Sequence, residues 1–145
     1  MNEQKMDSIK ELESLLANER TITQALFDII MLDNSNIDIR RILTEHKISK
    51  VAIYGMGKIG RALLAFLEKR GISIVYCIDR DRNVNIENYT VYHNPIDIVE
   101  DVDIVIVTPE LYFQNIKEDL SKTARGQVVL ARDLLENILL LPQIY

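Results

Sequence analysis

Residues 51–60 read VAIYGMGKIG, four apolar residues that break into glycines at positions 55, 57 and 60. No other stretch limits the fold as tightly. The apolar run reads as a buried strand and the glycines as a tight turn, while the residues that follow, KIGRALLAFLEKR, space their apolar side chains three and four apart as a helix does. Strand, turn and helix in that order are the first half of a βαβ unit. The second half is present too. Gly71 stands where a helix C-terminus takes a left-handed residue, and ISIVYCI is the next strand.

The alternation continues to the end of the chain. After the polar turn DRDRNVNIEN come a short strand YTVYH, the turn Asn94-Pro95, a brief helical segment IDIVE and the strand DIVIV. TPELYFQNIKEDLSKTAR is expected to be a helix, with Thr108 as N-cap, Pro109 in the first helical position, Glu110 in the first turn and Gly126 past the end. QVVLA is then a strand, and DLLENILLL a helix stopped by Pro142. Strands that are unbroken Val/Ile runs, each followed by a helix, imply an α/β fold: a doubly wound parallel sheet of about five strands, covered on both faces.

Residues 1–47 form an N-terminal helical extension ahead of this unit, which spans 48–145. From Met6 to Leu32 there is no glycine or proline, and Ile9, Leu12, Leu15, Leu16, Ile22, Leu26, Ile29 and Ile30 recur as one helical stripe. A helix of that length runs roughly 40 Å, longer than a domain of ~100 residues is wide. Part of the stripe is therefore expected to meet another chain, and a homodimer through this helix is predicted. Asp33 to Asn36 should end the helix, with Asn36 capping a second one, IDIRRILTEH.

Composition narrows the partners. With 145 residues, 48% of them hydrophobic, the chain can bury one core. Its formal charge is −5, and 17 basic and 22 acidic residues are interspersed without a basic cluster, so nucleic acid is not an expected partner. Cys77 is the sole cysteine, which rules out an intramolecular disulfide and fits a reducing compartment. The N-terminus is charged throughout and no run approaches the ~20 apolar residues of a membrane span, so a cytoplasmic protein with no membrane insertion is expected.

The turn Gly55-Met56-Gly57-Lys58-Ile59-Gly60 also fits a dinucleotide cradle. In that reading Gly55 permits the tight turn, Gly57 lets a pyrophosphate approach the backbone, and Gly60 allows close packing of helix on strand. The helix start offers free N–H groups and the positive end of its dipole to an anion. Lys58 and Arg61 stand at that end, where each opposes the dipole by roughly 0.3 to 1 kcal/mol unless a phosphate binds. Asp79, 19 residues after Gly60 at the end of the next strand, is placed for a ribose 2′-hydroxyl and disfavours the extra phosphate of NADP. Arg80 and Arg82 could pair with that phosphate, so NAD(H) is the first cofactor expected, with NADP(H) or a nucleotide sugar as alternatives. Thr108 and Pro109 end the fourth strand on the ligand-binding edge of such sheets. Each feature also has an architectural explanation: glycines for backbone geometry, Asp79 for the turn into DRDRN, Thr108 and Pro109 for capping.

Groups for chemistry are sparse. No Tyr-x-x-x-Lys pair occurs, since Tyr112 is followed at the fourth place by Ile116 and Tyr89 by His93. His93 is the lone catalytic candidate, without a partner in the sequence, and Cys77 reads as a core side chain. No Cys/His spacing points to a metal site. No residues follow the sheet to build a substrate domain, so an ordinary two-domain dehydrogenase is not expected.

In VAIYGMGKIG, GISIVYCIDRD, YTVYHNP, DVDIVIVTP and ARDLLENI, over about residues 48 to 140, the sequence resembles small Rossmann-like modules of bacterial surface-polysaccharide proteins. It is also similar to the NAD(H)-sensing domain of Rex repressors and to the N-terminal nucleotide-sugar-binding domain of PglD-type acyltransferases. Residues 1–47 do not supply the winged helix of Rex, and the hexapeptide repeats of PglD-type enzymes are absent. The resemblance implies Gly55, Gly57, Gly60 and Asp79 as ligand residues and no catalytic one. The expected function is an accessory or sensing nucleotide-binding subunit, in surface-polysaccharide or nucleotide-sugar metabolism. The alternatives are a small oxidoreductase or nucleotide-sugar-modifying enzyme completed by a partner chain, and a scaffold that binds no ligand.

Overall fold

A computed structural model describes residues 2–123 and 126–141. Five strands, β1 (Lys50–Tyr54), β2 (Ser73–Ile78), β3 (Val91–Tyr92), β4 (Ile104–Val107) and β5 (Gln127–Leu130), pair in parallel in the order β3-β2-β1-β4-β5. The chain builds outward from β1 through β2 to β3, then crosses back to the other side of β1. The topological switch thus lies between β1 and β4, where doubly wound sheets open a crevice at their C-terminal edge.

Helices α1 (Glu3–Asp33), α3 (Lys58–Lys69) and α5 (Ala131–Leu139) cover one face. There Val51 and Ile53 of the sheet meet Leu63 and Leu67 of α3, Leu135 of α5 and Leu32 of α1 in one buried cluster. Helix α4 (Phe113–Ser121) covers the other face, packing Ile116 and Leu120 on Tyr54, Tyr76, Val105 and Val107. Each such leucine or isoleucine, fully withdrawn from water, contributes about 1.5–3 kcal/mol before entropy is counted. β1 and β4 are buried along almost their whole length, which explains why they carry no polar alternation.

Several local expectations need correction. The second helix, α2 (Ile39–Glu45), is capped by Asp38, whose carboxylate accepts the Arg41 N–H, and not by Asn36. The chain first makes a turn in which Ser35 Oγ accepts from the Ile37 N–H and Ile37 is buried, which delays the helix. α4 begins at Phe113, so Thr108 is no N-cap and Pro109 and Glu110 are not helical. The Thr108 hydroxyl is drawn back to β1, 3.1 Å from the Tyr54 carbonyl and 2.9 Å from that of Gly55. The strand expected over 89–93 is reduced to Val91–Tyr92, and the helical segment after it to a single 3-10 turn, Pro95–Asp97, capped by Asn94. Gly71 has the left-handed conformation expected of it, φ +75°. Pro142, and the last two residues of the TPELYFQNIKEDLSKTAR segment before Gly126, lie outside the described residues.

α1 has 31 residues and two apolar faces where one stripe was expected. Ala25, Ile29 and Leu32 are buried against the domain. Met6, Ile9, Leu12, Leu16, Phe27 and Ile30 are exposed, and at about 100° per residue they fall on the opposite side of the helix. Lys69 pairs with Asp33 at 3.2 Å, and Arg70 donates to the Asp33 carbonyl at 2.7 Å, which fixes the C-terminal ends of α1 and α3 side by side. The helices run in the same direction, so the N-terminal half of α1 projects past the C-terminal edge of the sheet.

Candidate functional site

Two clefts open at that edge, at the switch point. The first, about 720 Å3, lies between the glycine turn and α1; the second, about 540 Å3, lies on the α4 side. Gly55, Asp79 and Pro109 line both, so the clefts form one continuous trough over the ends of β1, β2 and β4.

The three glycines of the turn separate cleanly. Gly55 has φ +92°, and a Cβ there would overlap the Thr108 hydroxyl and come within 2.8 Å of Pro109 Cδ. At Gly60 a Cβ would overlap the Gly55 carbonyl oxygen, so α3 could not seat on β1. Both glycines are demanded by the fold. Gly57 is different, because a Cβ there meets nothing within 4 Å, its φ is −80°, and it faces the first cleft. It is the N-cap of α3 and supplies no side-chain cap, and the first turn carries no acidic residue. The helix N-terminus is open to the cleft.

Around the turn the predicted residues take distinct places. The Asp79 carboxylate accepts the Met56 N–H at 2.8 Å through one oxygen and the Asp81 N–H at 2.9 Å through the other. It thus pins the glycine turn to the end of β2 and shapes the DRDRN turn, while still lining both clefts. A carboxylate has about four acceptor sites, so two remain for a hydroxyl. Met56 and Ile59 are buried beneath the turn. Arg61 Nε donates to the Met56 carbonyl at 3.0 Å and so braces the loop. Lys58 is exposed on the cleft and makes no ion pair among the described residues. Thr108 and Pro109 close the floor above Gly55.

Arg80 lines the second cleft, held by the Tyr54 hydroxyl at 2.9 Å and the Asp119 carboxylate at 2.6 Å. His93 lines neither cleft; its Nδ1 donates to the Asp79 carbonyl at 2.8 Å, which buttresses the strand ends. Burial pushes the Cys77 thiol up to about 11, so it stays protonated in the core. Among the described residues no three His, Cys, Asp or Glu side chains stand together as metal ligands. The trough offers backbone N–H groups, the Lys58 ammonium and the Asp79 carboxylate, beside the Glu110 and Asp119 carboxylates paired with Arg132 and Arg80, a set whose chemistry suits an anion and a hydroxyl.

Sequence reasoning missed the far walls of the trough. Ser14, Asn18 and Thr21 of α1 line the first cleft, and Tyr112, just before α4, and Asn115 of α4 line the second. The signal for the α1 wall was available in small polar residues spaced four and three apart, on the side of the helix opposite Ile9, Leu12 and Leu16.

These features define a Rossmann-like α/β domain with its topological switch between β1 and β4 and a trough over the strand ends there. The chain belongs to the C2185-like N-terminal family, whose model matches residues 47–126. No curated protein sequence matches it significantly. Among solved structures it is similar to a hypothetical protein from Pyrococcus horikoshii OT3, with 19% identity over 73% of this chain and 82% of that one and a TM-score of 0.45. It is also similar to Prb, a protein redesigned for binding, with 11% identity over 77% and 99% of the two chains and a TM-score of 0.40. A dehydrogenase from Rhizobium meliloti has 18% identity over 77% of this chain and 41% of its own, with a TM-score of 0.37. No helix among the described residues is long and apolar enough to cross a membrane.

Proposed function

We propose that this chain binds a nucleotide across its glycine turn, NAD(H) before any other, and acts as an accessory or sensing subunit that pairs with a second copy through α1. The observation that carries the nucleotide is Gly57. Its neighbours in the motif are glycines because the fold leaves no room for a side chain; Gly57 has room, faces the cleft, and leaves a helix N-terminus bare beside an unpaired lysine. A pyrophosphate seated there accounts for all three facts. Asp79 keeps acceptor sites for a ribose hydroxyl, and its charge opposes a 2′-phosphate. Arg80, engaged by Tyr54 and Asp119, is not free to offset that charge, which favours NAD(H) over NADP(H). Nucleotide sugars are the second ligand class, in keeping with the resemblance to polysaccharide modules. The exposed stripe on α1 supports the homodimer.

The test is thermal unfolding with NAD, NADH, NADPH, UDP-glucose and CoA, each in large excess. A ligand at about 100 times its dissociation constant stabilises by ~2.7 kcal/mol. The proposal expects such a shift with NADH, and its loss when Gly57 is replaced by Asp. Absence of a shift with every compound would return the turn to pure architecture.

A further inference from the structure

The first cleft exists because α1 crosses above the glycine turn, and the character of the crossing face is unusual. Ser14, Ala17, Asn18, Thr21 and Ile22 lie on one side of the helix, continuous with the side that buries Ala25, Ile29 and Leu32 farther along. Where this side rests on the domain it is apolar but for Asp28, which is buried there and accepts from the Gln24 amide at 2.9 Å. Where it passes over the cleft it becomes small and polar, while the solvent side of the same turns carries Ile9, Leu12 and Leu16. That inverts the usual amphipathic arrangement, in which the polar residues face water. A cleft of about 720 Å3 has the size of a small-molecule site, and its α1 wall brings two hydroxyls and a carboxamide to it. Ala17 keeps the wall low enough for a ligand to lie close. Across the cleft, Glu110 is paired with Arg132 at 2.8 Å, so the charges left without an ion pair on that side are the Lys58 ammonium at the helix start and the Asp79 carboxylate, one suited to a phosphate and the other to a sugar hydroxyl.

We infer that α1 is a wall of the ligand site, with Ser14, Asn18 and Thr21 bonding the phosphate and sugar oxygens of a nucleotide from the side opposite the glycine turn, so that the bound ligand holds the projecting half of the helix in place. This rests on the nucleotide reading above and adds three specificity residues from outside the sheet. Phosphate oxygens accept from Ser14 and the Asn18 amide, sugar hydroxyls pair with either end of the carboxamide, and the Thr21 oxygen, whose own O–H donates to the Ala17 carbonyl at 3.1 Å, accepts from a sugar hydroxyl. The bound nucleotide bridges the glycine turn and the projecting half of α1, whose far end is held to the end of α3 by Asp33 with Lys69 and Arg70.

The experiment uses the full chain and whichever of NAD, NADH, NADPH, UDP-glucose and CoA binds it most tightly. Amide hydrogen exchange is followed over residues 14–22 with and without that compound, and its Kd is measured for the wild type, Asn18→Leu with Thr21→Val, and Glu13→Gln on the outward face. Each lost hydrogen bond should weaken binding about 5-fold. The double substitution should therefore raise Kd on the order of 30-fold, with Glu13→Gln unchanged, and the ligand should slow exchange over residues 14–22 at least about tenfold. These positions are exposed or half-buried, so circular dichroism should show the fold retained. A wild type that binds the compound, with the double variant within about twofold of it or with no protection of residues 14–22, overturns the inference and leaves the nucleotide reading standing. Failure of all five compounds to bind the wild type overturns both.

Discussion

Adding an aspartate side chain at position 57 puts it into open space on a backbone that L-residues adopt, and makes it a capping group for a helix that has none. Asp is among the best N-caps and its charge suits the helix dipole, so Gly57→Asp should stabilise the free protein by about 0.5–1 kcal/mol. The same carboxylate stands where a phosphate would sit. Gly60→Ala should behave in the opposite way, losing about 1–3 kcal/mol or more in urea unfolding, because its methyl group overlaps the Gly55 carbonyl and the backbone must shift. Tyr76 offers a second test at this scale. Its hydroxyl is buried with no hydrogen-bond partner among the described residues, and burial pushes the phenol up to about 12. Tyr76→Phe should be neutral or stabilising by up to ~1 kcal/mol at pH 7, since no bond is lost. A folded-state pKa above the unfolded one means that the contribution is complete below about pH 10 and falls away between there and about 12. Alkaline unfolding followed by circular dichroism should begin in that window in the wild type, and later in the variant.

Among the elements, the long apolar runs at β1 and β4 and the end of α3 at Gly71 were legible, because burial on both faces and a left-handed C-cap leave direct marks in the sequence. The start of α4 was misread. Thr, Pro and Glu in succession suit a helix start equally well as a strand-end loop, and the choice is made by the Gly55 carbonyl, distant in sequence, which takes the Thr108 hydroxyl. α1 was legible as a helix and not as a surface, since periodicity records which residues share a side and not what lies against it. Its exposed face carries the pairing prediction. Leu12→Glu with Leu16→Glu should convert a dimer into a monomer by light scattering, with circular dichroism preserved and ligand affinity lowered only by the factor that links binding to pairing. A monomeric wild type would remove the pairing function from this helix.

For the whole molecule, α1 joins the two proposed activities. One side of it walls the cleft proposed for the nucleotide and the other is the apolar face proposed to meet a second chain, so a ligand that steadies the projecting half should also tighten the dimer. Linkage requires the converse by the same factor. Sedimentation at several protein concentrations, with and without ligand, should therefore show a lower dimer dissociation constant in the saturated protein. The candidate site was readable in the sequence at the glycine turn and Asp79. It was unreadable where it depends on α1 crossing a turn some forty residues away, a relation set by packing on α3 and α5.

The central claim is that Gly57 is a glycine for the ligand and not for the fold. The most direct measurement is urea unfolding of the wild type and Gly57→Asp, each alone and with saturating NADH. A free variant at least as stable as the wild type is expected, with a wild type stabilised by NADH and a variant that NADH leaves unchanged. A variant less stable than the wild type without ligand, or one stabilised by NADH as much as the wild type, would contradict it.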